Sequence, residues 1–186
     1  PGLKVRTAHR RDRRKSRFCS LFCFCSLSFV VALSIRYICM IEFQHELRTP
    51  RDAEEWRAFH RIRRKVLFEN RGKSEAYIEN HPDDSLAGNH PLVLVFGDDV
   101  IGVLRIDVSG SVAWLRRVAI REDLQHQGHG RVLLNLAEEF ARGKGCEEMR
   151  SNAAVEAVGF YERCGYMRDA SVESPVNSIR VRKSLR

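Results

Sequence analysis

Residues 91–120, PLVLVFGDDVIGVLRIDVSGSVAWLRRVAI, constrain the fold more than any other stretch of the chain. Three β-rich runs are separated by Gly97-Asp98-Asp99 and Ser109-Gly110-Ser111, so the stretch predicts a three-strand meander. Val93 to Phe96 is apolar at every position, as expected of a strand covered on both faces. Behind the meander, Leu133, Leu136, Ala137 and Phe140 recur at helical spacing, which predicts a helix from Arg131 to Arg142 closed by Gly143. A short strand from Cys146 to Ser151 follows, then a helix from Ala153 to Cys164 with Gly165 in the C′ position. Tyr166 onward reads as a strand, a loop around Ser174-Pro175, and a final strand from Asn177 to Lys183.

Upstream, Ile41, Phe43 and His45 alternate with polar residues as a short strand would. Thr49-Pro50-Arg51-Asp52 supplies a Thr N-cap, Pro at the first helical position and an acid three residues after the cap. Trp56, Phe59, Ile62 and Val66 then predict a helix to about Asn70, ended by Arg71-Gly72. A short helical piece over Ser74–Glu79 and the breaker-rich HPDDSLAGNHP lead into the meander. A meander feeding βαβ is mixed α/β, not a fully alternating doubly wound sheet.

The formal charge of +8 does not belong to this domain. Residues 1–39 hold nine of the 32 basic side chains and one of the 24 acids, which leaves 23 of each in residues 40–186. Nucleic-acid binding by the domain therefore loses its main support. The first 39 residues also hold four of the six cysteines. The two left, Cys146 and Cys164, make neither a disulfide framework nor a zinc motif, so a cytoplasmic, reducing setting is expected.

RRDRRKSR followed by the uncharged run Phe18–Ile35 has the pattern of a signal peptide or signal anchor. Met40 stands directly before the first strand pattern. Three readings stay open for residues 1–39: sequence foreign to the domain, a membrane anchor, or a cleaved signal. The membrane is a partner only under the second.

The loop QHQGHGR, residues 125–131, joins a strand to a helix. That junction presents free backbone N–H groups and the positive end of the helix dipole to an anion, and glycine removes the Cβ that would keep a phosphate away. A dinucleotide fingerprint needs a third glycine where Leu133 stands, and a meander would not precede it. The GKS of Gly72-Lys73-Ser74 lacks the Walker glycine, since position 67 is Leu67, and it follows a helix.

RRVAIREDLQHQGHGRVLL, together with SNAAVEAVGFYERCGY downstream, resembles the GNAT N-acetyltransferase superfamily over roughly residues 40–186. Its acetyl-CoA pattern, Gln/Arg-x-x-Gly-x-Gly/Ala, falls on Gln125-His126-Gln127-Gly128-His129-Gly130. The resemblance implies a mixed, mostly antiparallel sheet of six to seven strands flanked by about four helices. It implies that Gln125, His126, Gln127, Gly128, His129, Gly130 and Arg131 hold the CoA pyrophosphate. Val118, Ala119 and Ile120 would pair with the pantetheine arm, an N–H near Val118 would polarise the thioester carbonyl, and Asn152 would touch the arm. Tyr161 falls where the family places the acid that protonates the departing thiolate, although by spacing alone it belongs to a core stripe with Ala154, Ala157 and Val158.

The expected activity is transfer of an acetyl group from acetyl-CoA to a primary amine, on a small molecule or a peptide. A non-catalytic CoA-binding module is the alternative. A homodimer is the assembly left open, and no metal is expected: His126 and His129 are three apart with no third ligand in view. No general base is assigned. The strand Trp114-Leu115-Arg116-Arg117 carries no acid, and Asp107, Glu69 and His90 are the groups able to reach the site from neighbouring elements. Asp83-Asp84 and Asp98-Asp99 read as turn acids, both cysteines as packing residues, and Arg71–His90 as the acceptor wall.

Overall fold

Seven strands form one sheet in the order β1-β2-β3-β4-β5-β7-β6, here β1 His45–Arg48, β2 Asn89–Phe96, β3 Asp99–Ser109, β4 Val112–Ile120, β5 Glu148–Ala154, β6 Met167–Arg168 and β7 Ser178–Ser184. The computed structural model describes residues 44–186 except Asn80 and Val172. The expectations for residues 1–39 and for a strand at Ile41 and Phe43 lie outside the described residues. Every pairing is antiparallel except that of β4 with β5. Among the described residues three α-helices flank the sheet: α1 Ala53–Leu67, α2 His129–Gly143 and α3 Val158–Arg163. Among the described residues no helix is long and apolar enough to cross a membrane.

The meander forms where the sequence puts it. Gly97 (φ 61°) and Gly110 (φ 58°) take the left-handed conformation that two-residue hairpin turns give to glycine. The apolar run of β2 is divided between two cores. Val93 and Val95 join Phe59 and Ile62 of α1, while Leu92 and Leu94 join Leu133, Leu134 and Ala137 of α2.

Three local expectations are corrected. The N-cap of α1 is Asp52, not Thr49: its carboxylate accepts from the amides of Glu54 and Glu55 at 2.8 and 2.9 Å. Residues 49–51 instead carry the chain out of β1, and the Arg51 amide bonds back to Glu55. Glu55 also takes Arg48 in a two-pronged pair (2.5 and 2.7 Å), and this guanidinium holds the Glu55 carboxyl down at about 2. Second, α1 stops at Leu67, and a 3₁₀ turn, Glu69–Arg71, runs to the left-handed Gly72. Third, the helix expected from Ala153 begins only at Val158. Residues Asn152–Ala154 extend β5 instead, because β7 offers them a ladder partner as far as Ala154↔Ser178.

A buried ion pair fastens α2 to β7. The Lys183 ammonium donates to both oxygens of Glu138 at 2.8 and 2.7 Å and to the Cys164 carbonyl at 3.0 Å, and the Glu138 side chain is 5% exposed. Among the described residues Lys183→Met leaves that carboxylate with only Arg142, at 3.8 Å, as a facing cation and lowers stability by about 2 kcal/mol. Urea unfolding should show it as a lower midpoint, and adding Glu138→Leu should recover most of the loss. A midpoint unmoved by the single substitution would mean that the pair contributes little.

Candidate functional site

β4 and β5 are paired only from Val112↔Glu148 to Leu115↔Ser151. Beyond that point they part. β4 carries one residue more than β3 between Arg116 and Ala119, and Arg117 takes φ 55° there, so the strand is bulged and bent. β5 turns its far end to β7. Among the described residues, Arg116, Ala119 and Ile120 therefore keep ladder partners in β3, and no residue of β4 from Arg116 to Ile120 pairs with β5. Val118 and Ile120 are half-buried at this edge, while the Ala119 side chain packs into the α1 core and leaves only its backbone for a ligand.

The loop that leaves β4 is built to expose amides. After a 3₁₀ turn, Glu122–Leu124, His126 (φ 62°) and Gly128 (φ 93°) both take left-handed conformations. The first bonds into α2 run from the Arg131 and Val132 amides to the Gly128 carbonyl. Among the described residues the amides of His126 through Gly130 have no acceptor in the chain, and they sit at the positive end of a fifteen-residue helix. The two glycines serve different needs. A Cβ on Gly128 would meet nothing within 4 Å, whereas one on Gly130 would stand 3.2 Å from the Phe160 ring. Gly128 thus gives backbone conformation and open space, and Gly130 lets α2 approach α3. The arrangement fits a pyrophosphate: free amides, a positive helix end and no side chain in the way.

The loop's own side chains mostly hold the loop. The Gln125 amide donates to the Ile120 carbonyl (3.0 Å), Gln127 to the Asp123 carbonyl (3.0 Å), and Arg131 to the Arg163 carbonyl of α3 (3.2 Å). His129 turns towards β1, its Nδ1 2.9 Å from His45 Nε2, and His45 stacks on Phe96 at 4.5 Å. Burial, and then His129, push the His45 imidazole below its ordinary value. His126 is exposed. Among the described residues no three His, Cys, Asp or Glu side chains are grouped to hold a metal.

Where the strands part, a cleft of about 580 Å³ opens, and it brings together Val118, Asn152 and Tyr161. Tyr161 is 5% exposed, and its ring lies 5.4 Å from those of both Phe160 and Tyr166. Burial raises the proton affinity of its phenol, partly offset by the Ser151 hydroxyl. Ser151 itself donates to the Leu115 carbonyl at 3.2 Å, at the last rung before the strands separate. Asn152 Oδ1 accepts from Arg180 (3.3 Å). Burial raises the Cys146 thiol, which sits in the core, and Cys164 is half-buried.

Of the three candidate bases only Asp107 lines the cleft, and it is engaged: Arg105 donates to both its oxygens at 2.6 and 3.0 Å, with Arg116 at 3.4 Å. Glu69 lies on the turn after α1 beside Lys65 (3.5 Å), and His90 packs against Phe140 of α2. Asp84 is no turn acid. It is 9% exposed and held by Arg63 (2.6 Å) and Arg105 (3.1 Å), whose guanidinium groups keep its carboxyl below the ordinary range against the cost of burial. Asp83 lines the cleft, with Arg71, Leu86 and Asn89 from the stretch read as the acceptor wall.

A family model described as "Acetyltransferase (GNAT) family" matches residues 54–166. A Bacillus subtilis (strain 168) protein named as a putative acetyltransferase is 29% identical over 121 residues, 63% of this chain and 80% of that protein. Among solved structures, a putative N-acetyltransferase from Lactobacillus plantarum superposes with a TM-score of 0.64 at 27% identity, covering 77% of this chain and 98% of that one. The PaiA N-acetyltransferase of Thermoplasma acidophilum, crystallised with coenzyme A, gives 0.61 at 18% identity over 76% and 99%.

Proposed function

The chain belongs to the GNAT family of acetyltransferases, and from that premise we propose that it transfers an acetyl group from acetyl-CoA to a primary amine by direct attack. One observation carries the reading: the gap between β4 and β5 has the amide-rich loop at the end of its β4 wall and the Tyr161 phenol within it.

Acetyl-CoA supplies an acyl group activated as a thioester. In this reading the amides from His126 to Gly130 hold its pyrophosphate, and Gln125 and Arg131 brace the loop. The unpaired edge of Val118, Ala119 and Ile120 takes the pantetheine arm, with Asn152 across the gap. An N–H at the bulge, near Val118, stabilises the negative charge that builds on the carbonyl oxygen. As the C–N bond forms and the C–S bond breaks, Tyr161 passes its proton to the sulfur and regains one from water. Its raised proton affinity means that the phenol is protonated throughout the neutral range. The amine proton leaves to solvent. With Asp107 tied to two arginines, the described residues lining the cleft contain no free carboxylate placed like those the family often uses.

Calorimetric titration of the full chain with acetyl-CoA, followed by thiol release in the presence of amines, tests the reading. Binding with amine-dependent release of CoA supports it. Binding without release by any amine would leave a CoA-binding module, and a folded chain that takes up no acetyl-CoA would overturn the assignment.

A further inference from the structure

We infer that the amine acceptor carries an oxyanion, a carboxylate or a phosphate, and that Arg117 binds it. The inference rests on the acetyl-transfer reading and concerns the same cleft. Four arginines line that cleft, Arg71, Arg105, Arg116 and Arg117, against two aspartates, Asp83 and Asp107. Three of the arginines are matched. Arg71 faces Glu156 at 3.5 Å, Arg105 holds Asp84 and Asp107, and Arg116 stands 3.4 Å from Asp107. Arg117 is not: among the described residues it has no carboxylate within 4 Å, and its guanidinium lies over the Phe68 ring at 5.1 Å. Burial, and then the charges of Arg63 and Arg105, lower the proton affinity of its guanidinium, with Asp84 and Asp83 acting the other way. Arg180, seated on the Trp114 ring at 5.2 Å and bonded to the cleft residue Asn152, adds another cation that has no carboxylate within 4 Å among the described residues.

A polycationic acceptor entering here would meet more cations than carboxylates, because Asp83 and Asp107 are already engaged by Arg105 and Arg116. An acceptor with one anionic group would meet a planar donor suited to a two-pronged contact with carboxylate or phosphate. The same field favours the neutral form of the bound amine over its ammonium form. A cleft without a free base can therefore still present a nucleophile. Arg117 and Val118 both line this cleft, so the anion would be held in the same opening as the reacting carbonyl.

The test titrates the full chain calorimetrically, with and without CoA, using three compounds: N-acetyl-β-alanine, N-acetyl-2-aminoethyl phosphate and the neutral N-acetyl-β-alanine amide. At least one anion should bind tenfold or more tighter than the amide, and which one does so separates carboxylate from phosphate. Arg117→Gln should bring that anion to the level of the amide, and Arg117→Lys should restore part of the difference. CoA affinity and melting temperature should stay unchanged in both variants. Equal binding of all three compounds, no binding of either anion, or a preference that survives Arg117→Gln would overturn the proposal. A chain that prefers the anion but refuses CoA would instead refute the acetyl-transfer reading alone.

Discussion

Tyr161→Phe lowers the turnover number of acetyl transfer by about 10²-fold or more, the contribution typical of a positioned acid, and leaves the dissociation constant for acetyl-CoA within about twofold. The substitution isolates the hydroxyl. The ring keeps its edge contacts with Phe160 and Tyr166, so packing between α3 and the sheet survives. The phenol that is lost lies in the cleft, with the Ser151 hydroxyl as neighbour. Pre-steady-state thiol release alongside a melting curve separates the two roles open to this residue. A fall in rate with an unchanged melting temperature marks proton transfer; unchanged turnover would reduce Tyr161 to a core aromatic.

The second large effect is on binding. Gly128→Val should weaken acetyl-CoA by about 5- to 150-fold. At φ 93° a β-branched residue is strained by about 1–3 kcal/mol, and each 1.4 kcal/mol is a factor of ten in affinity. Because the space around a Cβ at Gly128 is open, the valine loop relaxes to an unstrained conformation, and binding must then restore the amide geometry. Gly130→Ala is the contrasting variant. Its methyl group meets Phe160 at 3.2 Å, so its loss should appear first in stability. Calorimetry on both variants decides the matter. A Gly128→Val protein with unaltered affinity would remove the loop from the phosphate site.

What was legible in the sequence was local. Two glycine turns fixed the meander, helical spacing placed α2 within two residues of its true start, and the left-handed Gly128 lies in the loop that the glycine spacing singled out. What was hidden depends on partners distant in sequence. Ala153 and Ala154 read as helix because alanine favours it, but a ladder to Ile179 and Ser178 decides the outcome, and no local propensity contains that ladder. Asp84 looked like a turn residue because its arginines, Arg63 and Arg105, each lie 21 positions away. The charge of the cleft was hidden in another way. Residues 40–186 balance to zero, yet β3, the β4 bulge and the turn after α1 bring four arginines to one opening.

The parting of β4 from β5 also has a mechanical side. Four residue pairs and the Ser151–Leu115 bond are the ladder contacts that join the half of the sheet carrying β1–β4 to the half carrying β5–β7. The sheet resembles a zip left half open, with its slider at Ser151. Anything seated in the open portion bridges both halves and takes over the load that the missing rungs would carry. Occupancy of the cleft should then add stiffness to the sheet at the seam where its ladder stops.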